Sequence, residues 1–315
     1  MQHKYKKIGI ICMLVILMIF SCLLFGANYL VNYALKVENG YIAASGENPY
    51  DGWSDTEAQR TYDEWIKDKT VEEIYIESYD GLTLYAESLK VQDSHNYLLA
   101  VHGYTVDHRD IAPYTVPFFE KGYNVITIDQ RARENSEGNH VTMGYKESFD
   151  VLSWINYIIS IDEKAQIVLY GESMGAATVM LAASKDVPKN VKAVIEDCGY
   201  TSAKAMYKDQ LKERFNLPDF PLLNLASIIS RIRYQFDFDE ANVLKHINDI
   251  KVPVLFIHGS ADDYVPTYMV KELYDAYKNE KELLIIDGAG HGASADIDPN
   301  LYYETIFLFL EGIIR

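Results

Sequence analysis

The chain has 315 residues, with 29 Lys and Arg against 46 Asp and Glu, a formal net charge of −17, and 49% hydrophobic residues. That length allows one large or two small domains, and the apolar content supplies a core large enough to exclude wholesale disorder. The acidity excludes nucleic acid as the main partner, because phosphate binding needs a basic surface, and three cysteines exclude a disulfide-built scaffold.

The charge is unevenly spread. Residues 1–40 carry Lys4, Lys6, Lys7 and Lys36 against Glu38, so the remainder holds −20. No charged residue occurs from Ile8 to Leu35, and the most apolar part is Ile8–Ala27. Twenty residues at about 1.5 Å each span roughly 30 Å, the thickness of a bilayer core. Residues 8–27 therefore read as a transmembrane signal anchor, held uncleaved in the cell membrane. Residues 1–7 are the cytoplasmic tail, since positive flanks stay inside, and the rest of the chain is extracytoplasmic. A cleaved signal fits less well, because Phe25 stands three residues before a cut after Ala27, where a small residue is needed. A lipoprotein signal would place Cys22 after Ile19-Phe20-Ser21, but Phe20 is bulky there and the apolar run continues past the cysteine. Cys198 is the one cysteine of the outer part and reads as a small buried apolar residue.

Residues 28–70 read as a membrane-proximal connection that holds the acidic outer part off the bilayer. It has turn-forming Gly, Asn, Pro and Asp in 38–55, then a helix opening at Asp55-Thr56 and running through Trp65. From Val71 the pattern is regular. VEEIYIES and LTLYAESL alternate around Tyr79-Asp80-Gly81, a β-hairpin. NYLLAVHG (96–103), YNVITID (123–129), AQIVLYG (165–171), VKAVIEDC (191–198), VPVLFIHG (252–259) and ELLIIDG (282–288) are short apolar runs, as expected of buried parallel strands. Helical spacing falls between them, in PYTVPFFEKG ending at Gly122, in 145–159, in 174–184 and in 301–314. This alternation predicts an α/β domain over 71–315 with a mostly parallel sheet. Residues 201–250 break the rhythm with helical patterns around Pro218 and Pro221, and are expected to form a cap. Leu222, Leu223, Leu225, Ile228 and Ile229 there suit either an acyl or aromatic group or helix packing.

The strongest chemical signal is Gly171-Glu172-Ser173-Met174-Gly175, a G-x-S-x-G string that follows a strand and opens a helix, as a nucleophile elbow requires. A serine needs a base, usually a histidine oriented by a carboxylate. His291, in Gly288-Ala289-Gly290-His291-Gly292 after the last strand, is the best placed histidine. The acid falls between them in chain order, and Asp262 in His258-Gly259-Ser260-Ala261-Asp262-Asp263 fits. Asp263 is expected to cap the helix that starts near Pro266, while Glu196 and Asp197 are the other carboxylates to weigh. The oxyanion needs two backbone N–H donors, expected from Met174 and from Tyr104 in the loop His102-Gly103-Tyr104-Thr105.

Together, His102-Gly103, the GESMG elbow, HGSADDYVP and GAGH resemble the α/β-hydrolase superfamily over roughly residues 70–315, and look most like its prolyl oligopeptidase and serine aminopeptidase branch, in a form similar to membrane-anchored bacterial hydrolases. The resemblance implies the α/β-hydrolase fold, with Ser173, Asp262 and His291 as a triad and with no metal or cofactor. The implied function is a serine hydrolase, a carboxylesterase or peptidase-like enzyme acting on a small-molecule or peptide acyl substrate. Acyl transfer with the same residues, or a non-catalytic binding module on this fold, are the alternatives. One departure stands out. Where the family often has D-x-R-G-H-G, this chain has Asp129-Gln130-Arg131-Ala132-Arg133-Glu134, so the shape of the mouth is expected to differ.

Overall fold

The computed structural model describes residues 2–38, 41–42 and 56–314. Eight strands form one sheet: β1 (Val71–Glu77), β2 (Thr83–Leu89), β3 (Asn96–Val101), β4 (Asn124–Ile128), β5 (Gln166–Glu172), β6 (Val191–Asp197), β7 (Val254–Gly259) and β8 (Lys281–Ile286). Their spatial order is β8-β7-β6-β5-β3-β4-β2-β1. Strand β2 pairs antiparallel with β1 and β4, and the other neighbours are parallel. The main helices are α1 (Gln2–Leu35), α2 (Glu57–Trp65), α3 (Tyr145–Ile161), α4 (Met174–Ala183), α5 (Ala203–Phe215), α6 (Leu222–Tyr234), α7 (Tyr268–Ala276) and α8 (Pro299–Leu310).

The period of two along each strand divides the core between the two faces of the sheet. Leu99 and Val101 of β3 and Ile167 and Leu169 of β5 pack against α3 and α4. Leu98, Ala100, Val168 and Tyr170 point to the opposite face, against Phe118 and the α8 residues Tyr302 and Ile306. Both faces are covered, which is why the central strands read as continuous apolar runs rather than alternating ones. All parallel strands end on one edge of the sheet, and the order reverses beside β3, where β4 lies on one side and β5 on the other. In open α/β sheets that edge, at such a reversal, is where ligands bind.

Three expectations change. The helix expected in PYTVPFFEKG is built of short pieces, His108–Ile111, a 3-10 turn Ala112–Thr115 and Val116–Glu120, because Pro113 and Pro117 supply no N–H to a continuous ladder. The last helix ends at Leu310, short of 314. The connection 28–70 is in part folded onto the domain. Helix α1 continues unbroken past Ala27 to Leu35, and Ala27, Val31 and Leu35, one turn apart along one stripe, are fully buried in the α3–α4 side of the core. Its end is tied down through carbonyls that a helix terminus leaves free. Val141 N donates to Leu35 O at 2.9 Å, Tyr104 Oη donates to Ala34 O, and Val37 N donates to Asn139 O at 3.0 Å. Thr56 caps α2 as expected, its side chain accepting from Gln59 N. Residues 39–40 and 43–55, which hold most of the turn-rich stretch and Asp55, lie outside the described residues.

Helices α5 and α6 form the expected insertion. Leu223 is buried, and Leu222, Leu225 and Ile229 pack against the core. Leu222 also lies against Gly26 of α1, its Cδ1 only 3.5 Å from where a Cβ would stand. The apolar stripe of α6 is thus its packing side, except for Ile228 and, one turn on, Ile232, which are exposed. In α1, by contrast, the large apolar side chains from Ile8 to Phe20 are exposed, along with Phe25, and the Lys4–Leu35 stretch is the one helix among the described residues long and apolar enough to cross a membrane.

Candidate active site

The turn after β5 is built by two glycines. A Cβ on Gly171 would stand 2.3 Å from Gly175 O, and one on Gly175 would stand 2.0 Å from Val101 O, so neither position admits a side chain. Between them Ser173 adopts φ 56° and ψ −115°, a conformation that an L-residue holds only when its surroundings impose it. Here Ser173 N donates to Asp197 O at 2.8 Å and α4 begins at the next residue, fully buried along its length. The turn thereby lifts the serine hydroxyl above the carboxyl edge of the sheet.

The loops after β7 and β8 bring two further residues to it. His291 Nε2 lies 2.8 Å from Ser173 Oγ, and His291 Nδ1 lies 2.8 Å from Asp262 Oδ2. An ionised carboxylate only accepts, so Nδ1 carries the proton and the neutral ring offers Nε2 to the serine hydroxyl. Asp262 is held on both oxygens. Its Oδ1 accepts from Tyr264 N at 3.0 Å and Val265 N at 2.8 Å, and its Oδ2 faces His291 and, at 3.2 Å, His258 Nε2. Burial works against its charge, but the hydrogen bonds from His258 and His291 outweigh it and keep the carboxyl well below the usual carboxylate range. The structure therefore brings Ser173, His291 and Asp262 into one hydrogen-bonded chain.

His258 was not singled out by the sequence. It is fully buried at the end of β7, and its Nε2 also faces Val265 O at 2.9 Å. Both neighbours are acceptors, so Nε2 carries the proton and supplies Asp262 with a second imidazole donor. The signal available was its position four residues before Asp262, at the end of the same strand.

The remaining carboxylates lie elsewhere. Asp197 accepts from Tyr302 Oη at 2.9 Å and Ser294 Oγ at 3.3 Å, and burial pushes it up to about 6. Glu196 accepts from Gly199 N at 2.9 Å, and burial pushes it up to about 8. Both are enclosed, so neither presents charge to a substrate amine. Asp263 is exposed, and the cap expected of it is not formed. Helix α7 starts at Tyr268 with Thr267 before it, beyond the reach of Asp263, and the turn is closed by Asp262 instead. Cys198 is buried, as expected.

Gly103 lies against the Ser173 turn, where a Cβ would come 3.6 Å from Ser173 Cβ, and Tyr104 is the next residue. Met174 opens α4, where backbone N–H groups have no helical acceptor. Both expected oxyanion donors therefore belong to backbone next to Ser173. His102 braces this loop. Its Nε2 accepts from Gln130 N at 3.0 Å, and burial pushes it down to about 4, which keeps it neutral.

The divergent loop 129–134 keeps the backbone of a glycine-rich turn without the glycines, with Ala132 at φ 62° and Glu134 at φ 36°. Arg131 is buried and forks onto Asp150 at 2.7 Å through two nitrogens, and onto Asp80 at 3.0 Å. Arg133 donates to the carbonyls of Thr105 and, at 3.0 Å, Val106. Arg133 thus holds the segment that follows Tyr104, while Arg131 ties its own loop to Asp80 and to α3.

His108 anchors the same region, its Nδ1 2.7 Å from Asp129 Oδ1 and its Nε2 3.4 Å from Glu87 Oε1. Burial opposes its charge, but the hydrogen bonds to Asp129 and Glu87 outweigh burial and push it up to about 10. The native state thus holds a proton that the unfolded chain releases near its ordinary value of about 6.5. The stabilisation is complete below about pH 6.5 and is lost as pH rises towards about 10. Urea unfolding at pH 6.5 and 9.5 is expected to show a larger loss of stability for the wild type than for His108→Gln; equal losses would refute the assignment.

The prolyl oligopeptidase family model matches residues 110–315. The chain is 29% identical to the protein YqkD of Bacillus subtilis over 226 residues, which is 70% of this chain and 73% of YqkD. It is also 29% identical over 203 residues to the lysophosphatidylserine lipase ABHD12 of Danio rerio, covering 61% of this chain and half (50%) of the lipase. In fold it is similar to the Pyrococcus furiosus esterase Pf2001, with a TM-score of 0.62 and 23% identity, over 78% of this chain and 92% of the esterase. Family and fold together indicate a hydrolase of the α/β-hydrolase type. With the match spanning the sheet from the first turn after β3 to the last helix, the elbow and both partner loops included, the chain belongs to the prolyl oligopeptidase family.

Proposed function

We propose that the protein is a membrane-anchored serine hydrolase that cleaves carboxyl esters through an acyl-enzyme, with residues 71–315 as its catalytic domain. The observation that carries this reading is the hydrogen-bonded chain from Ser173 Oγ through His291 to Asp262. His291 Nε2 takes the Ser173 proton as Oγ attacks the ester carbonyl, and Asp262 stabilises the imidazolium that forms. The N–H groups of Met174 and Tyr104 hold the oxyanion. The imidazolium returns its proton to the leaving alkoxide, which departs as the alcohol. Water then attacks the acyl-enzyme, giving its proton to His291, and the carboxylic acid leaves as Ser173 is restored. The named activities of an esterase and a lipase among similar proteins favour an ester over an amide. Lys4, Lys6 and Lys7 in the first turns of α1, before its exposed apolar stretch, favour a single-pass anchor with the catalytic domain outside the cytoplasm.

A fluorophosphonate probe is expected to label the full-length protein at Ser173 and to leave Ser173→Ala unlabelled, with p-nitrophenyl esters turned over faster than aminoacyl-nitroanilides. A folded wild-type protein that never labels at Ser173 would sink the proposal.

A further inference from the structure

The rim of the site is built in part from α1. Tyr29 and Tyr33 stack along that helix with ring centroids 6.1 Å apart, and Tyr33 meets Phe215 of α5 edge-on at 5.9 Å. Arg214 donates to Tyr33 Oη at 3.5 Å and places its guanidinium over the ring of Tyr264, 5.5 Å from the centroid. Tyr264 in turn packs on the imidazole of His291, with centroids 4.9 Å apart. An aromatic path therefore leads from the first turns of α1 beyond its apolar stretch to the histidine beside Ser173.

One positive charge stands on that path. Arg214 is exposed, and among the described residues no carboxylate pairs with it. Its Nε donates to Gln210 Oε1 at 2.7 Å, Gln210 Nε2 donates to Tyr264 O at 2.9 Å, and Nη1 reaches Tyr33 Oη, so the guanidinium is oriented while Nη2 has no partner among the described residues. The tip between α5 and α6 exposes Leu217 and Phe220, the latter 73% exposed, immediately before the Leu222 contact with Gly26. The apolar tip thus lies where α1 leaves the folded domain. Residues 201–250 hold seven basic and seven acidic residues, so the −20 of the outer part lies outside the cap. Repulsion from that charge is screened beyond roughly 8 Å at physiological salt.

We propose that the site takes a membrane-resident acyl ester whose headgroup carries a negative charge, the acyl chain arriving along Tyr29, Tyr33 and Phe215 and Arg214 holding the anion. This rests on the ester-hydrolase and anchor readings above. A guanidinium fork matches phosphate and carboxylate oxygens, and a single ring separates it from the imidazole, in keeping with the short glycerol spacing between an ester and a headgroup phosphate.

The test uses full-length protein in neutral detergent micelles, with 1-oleoyl lysophosphatidylglycerol as the anionic probe and 1-oleoyl lysophosphatidylcholine as the zwitterionic one. The wild type is expected to favour the anionic probe about tenfold in kcat/KM, the ratio falling to about one in Arg214→Gln and partly returning in Arg214→Lys. The ratio does not depend on the fraction of protein folded. A wild-type ratio near one, or an unchanged ratio in Arg214→Gln, overturns the proposal. Turnover of p-nitrophenyl esters with none of either lipid overturns the substrate class while leaving the hydrolase reading intact. Absence of both fluorophosphonate labelling and ester turnover instead brings down the hydrolase reading itself.

Discussion

Asp262→Asn is expected to lower kcat against a p-nitrophenyl ester by about 10,000-fold. The amide keeps the shape of the carboxylate but offers a donor where His291 Nδ1–H needs an acceptor. Turning its oxygen to that nitrogen would set the NH2 group against the Tyr264 and Val265 amides, which now donate to Oδ1. Either the loop or the imidazole tautomer must give way, and a ring protonated on Nε2 cannot accept from Ser173. Asp197→Asn makes the informative contrast. Asp197 is bonded to Tyr302 and Ser294 rather than to His291, so its variant should keep activity per folded molecule within a few fold. Thermal melts of both variants separate loss of fold from loss of chemistry. An active Asp262→Asn beside an inactive Asp197→Asn would transfer the acid role to Asp197.

The second large effect concerns the N-terminal helix. Removing residues 1–39 should destabilise the domain by about 3–6 kcal/mol relative to a form beginning at residue 26, because Val31 and Leu35 are each fully buried and burial of such a side chain is worth about 1.5–3 kcal/mol. For a domain of this size that is a fall in Tm of roughly 6–24 °C. The loss reaches the site as well. Without Ala34 the Tyr104 hydroxyl loses its acceptor, and without Tyr33 the rim loses the partner of Arg214 and Phe215. Melts of the two forms in the same detergent provide the check, and equal midpoints would show that the last turns of α1 are not part of the folded unit.

That helix also marks the boundary of what could be read without the structure. The apolar stretch from Ile8 is legible because length and hydropathy are properties of a contiguous segment. The end of the helix is not, since Asn28, Asn32 and Tyr33 look like the polar exit of a membrane span until α5 and α6 arrive to receive them. Asn28 and Asn32 accept from Arg233 Nη1 at 2.9 and 2.7 Å, a pairing across some 200 residues of chain that no local pattern announces. The same holds for His258. Its strand was recognisable, but its bond to Asp262 depends on the loop turning back over the end of β7. The helix expected at 113–122 erred differently, for Pro113 and Pro117 were visible and their missing donors were enough to predict a broken helix.

The sequence by itself determined the alternation of strands and helices, the nucleophile turn, and the order serine, aspartate, histidine along the chain. Each of these is written in short-range terms: periodicity over a few residues, and a glycine where the backbone closes on itself, Gly175 O lying 2.3 Å from a would-be Cβ on Gly171. Only the tertiary structure set Asp262 rather than Asp197 against His291, brought α1 into the core, and placed Arg214 on the path between Tyr33 and Tyr264. Those outcomes depend on contacts between segments far apart in sequence, whose energy comes from burial and hydrogen bonding across the closed core and cannot be assigned to any one segment before the fold brings them together.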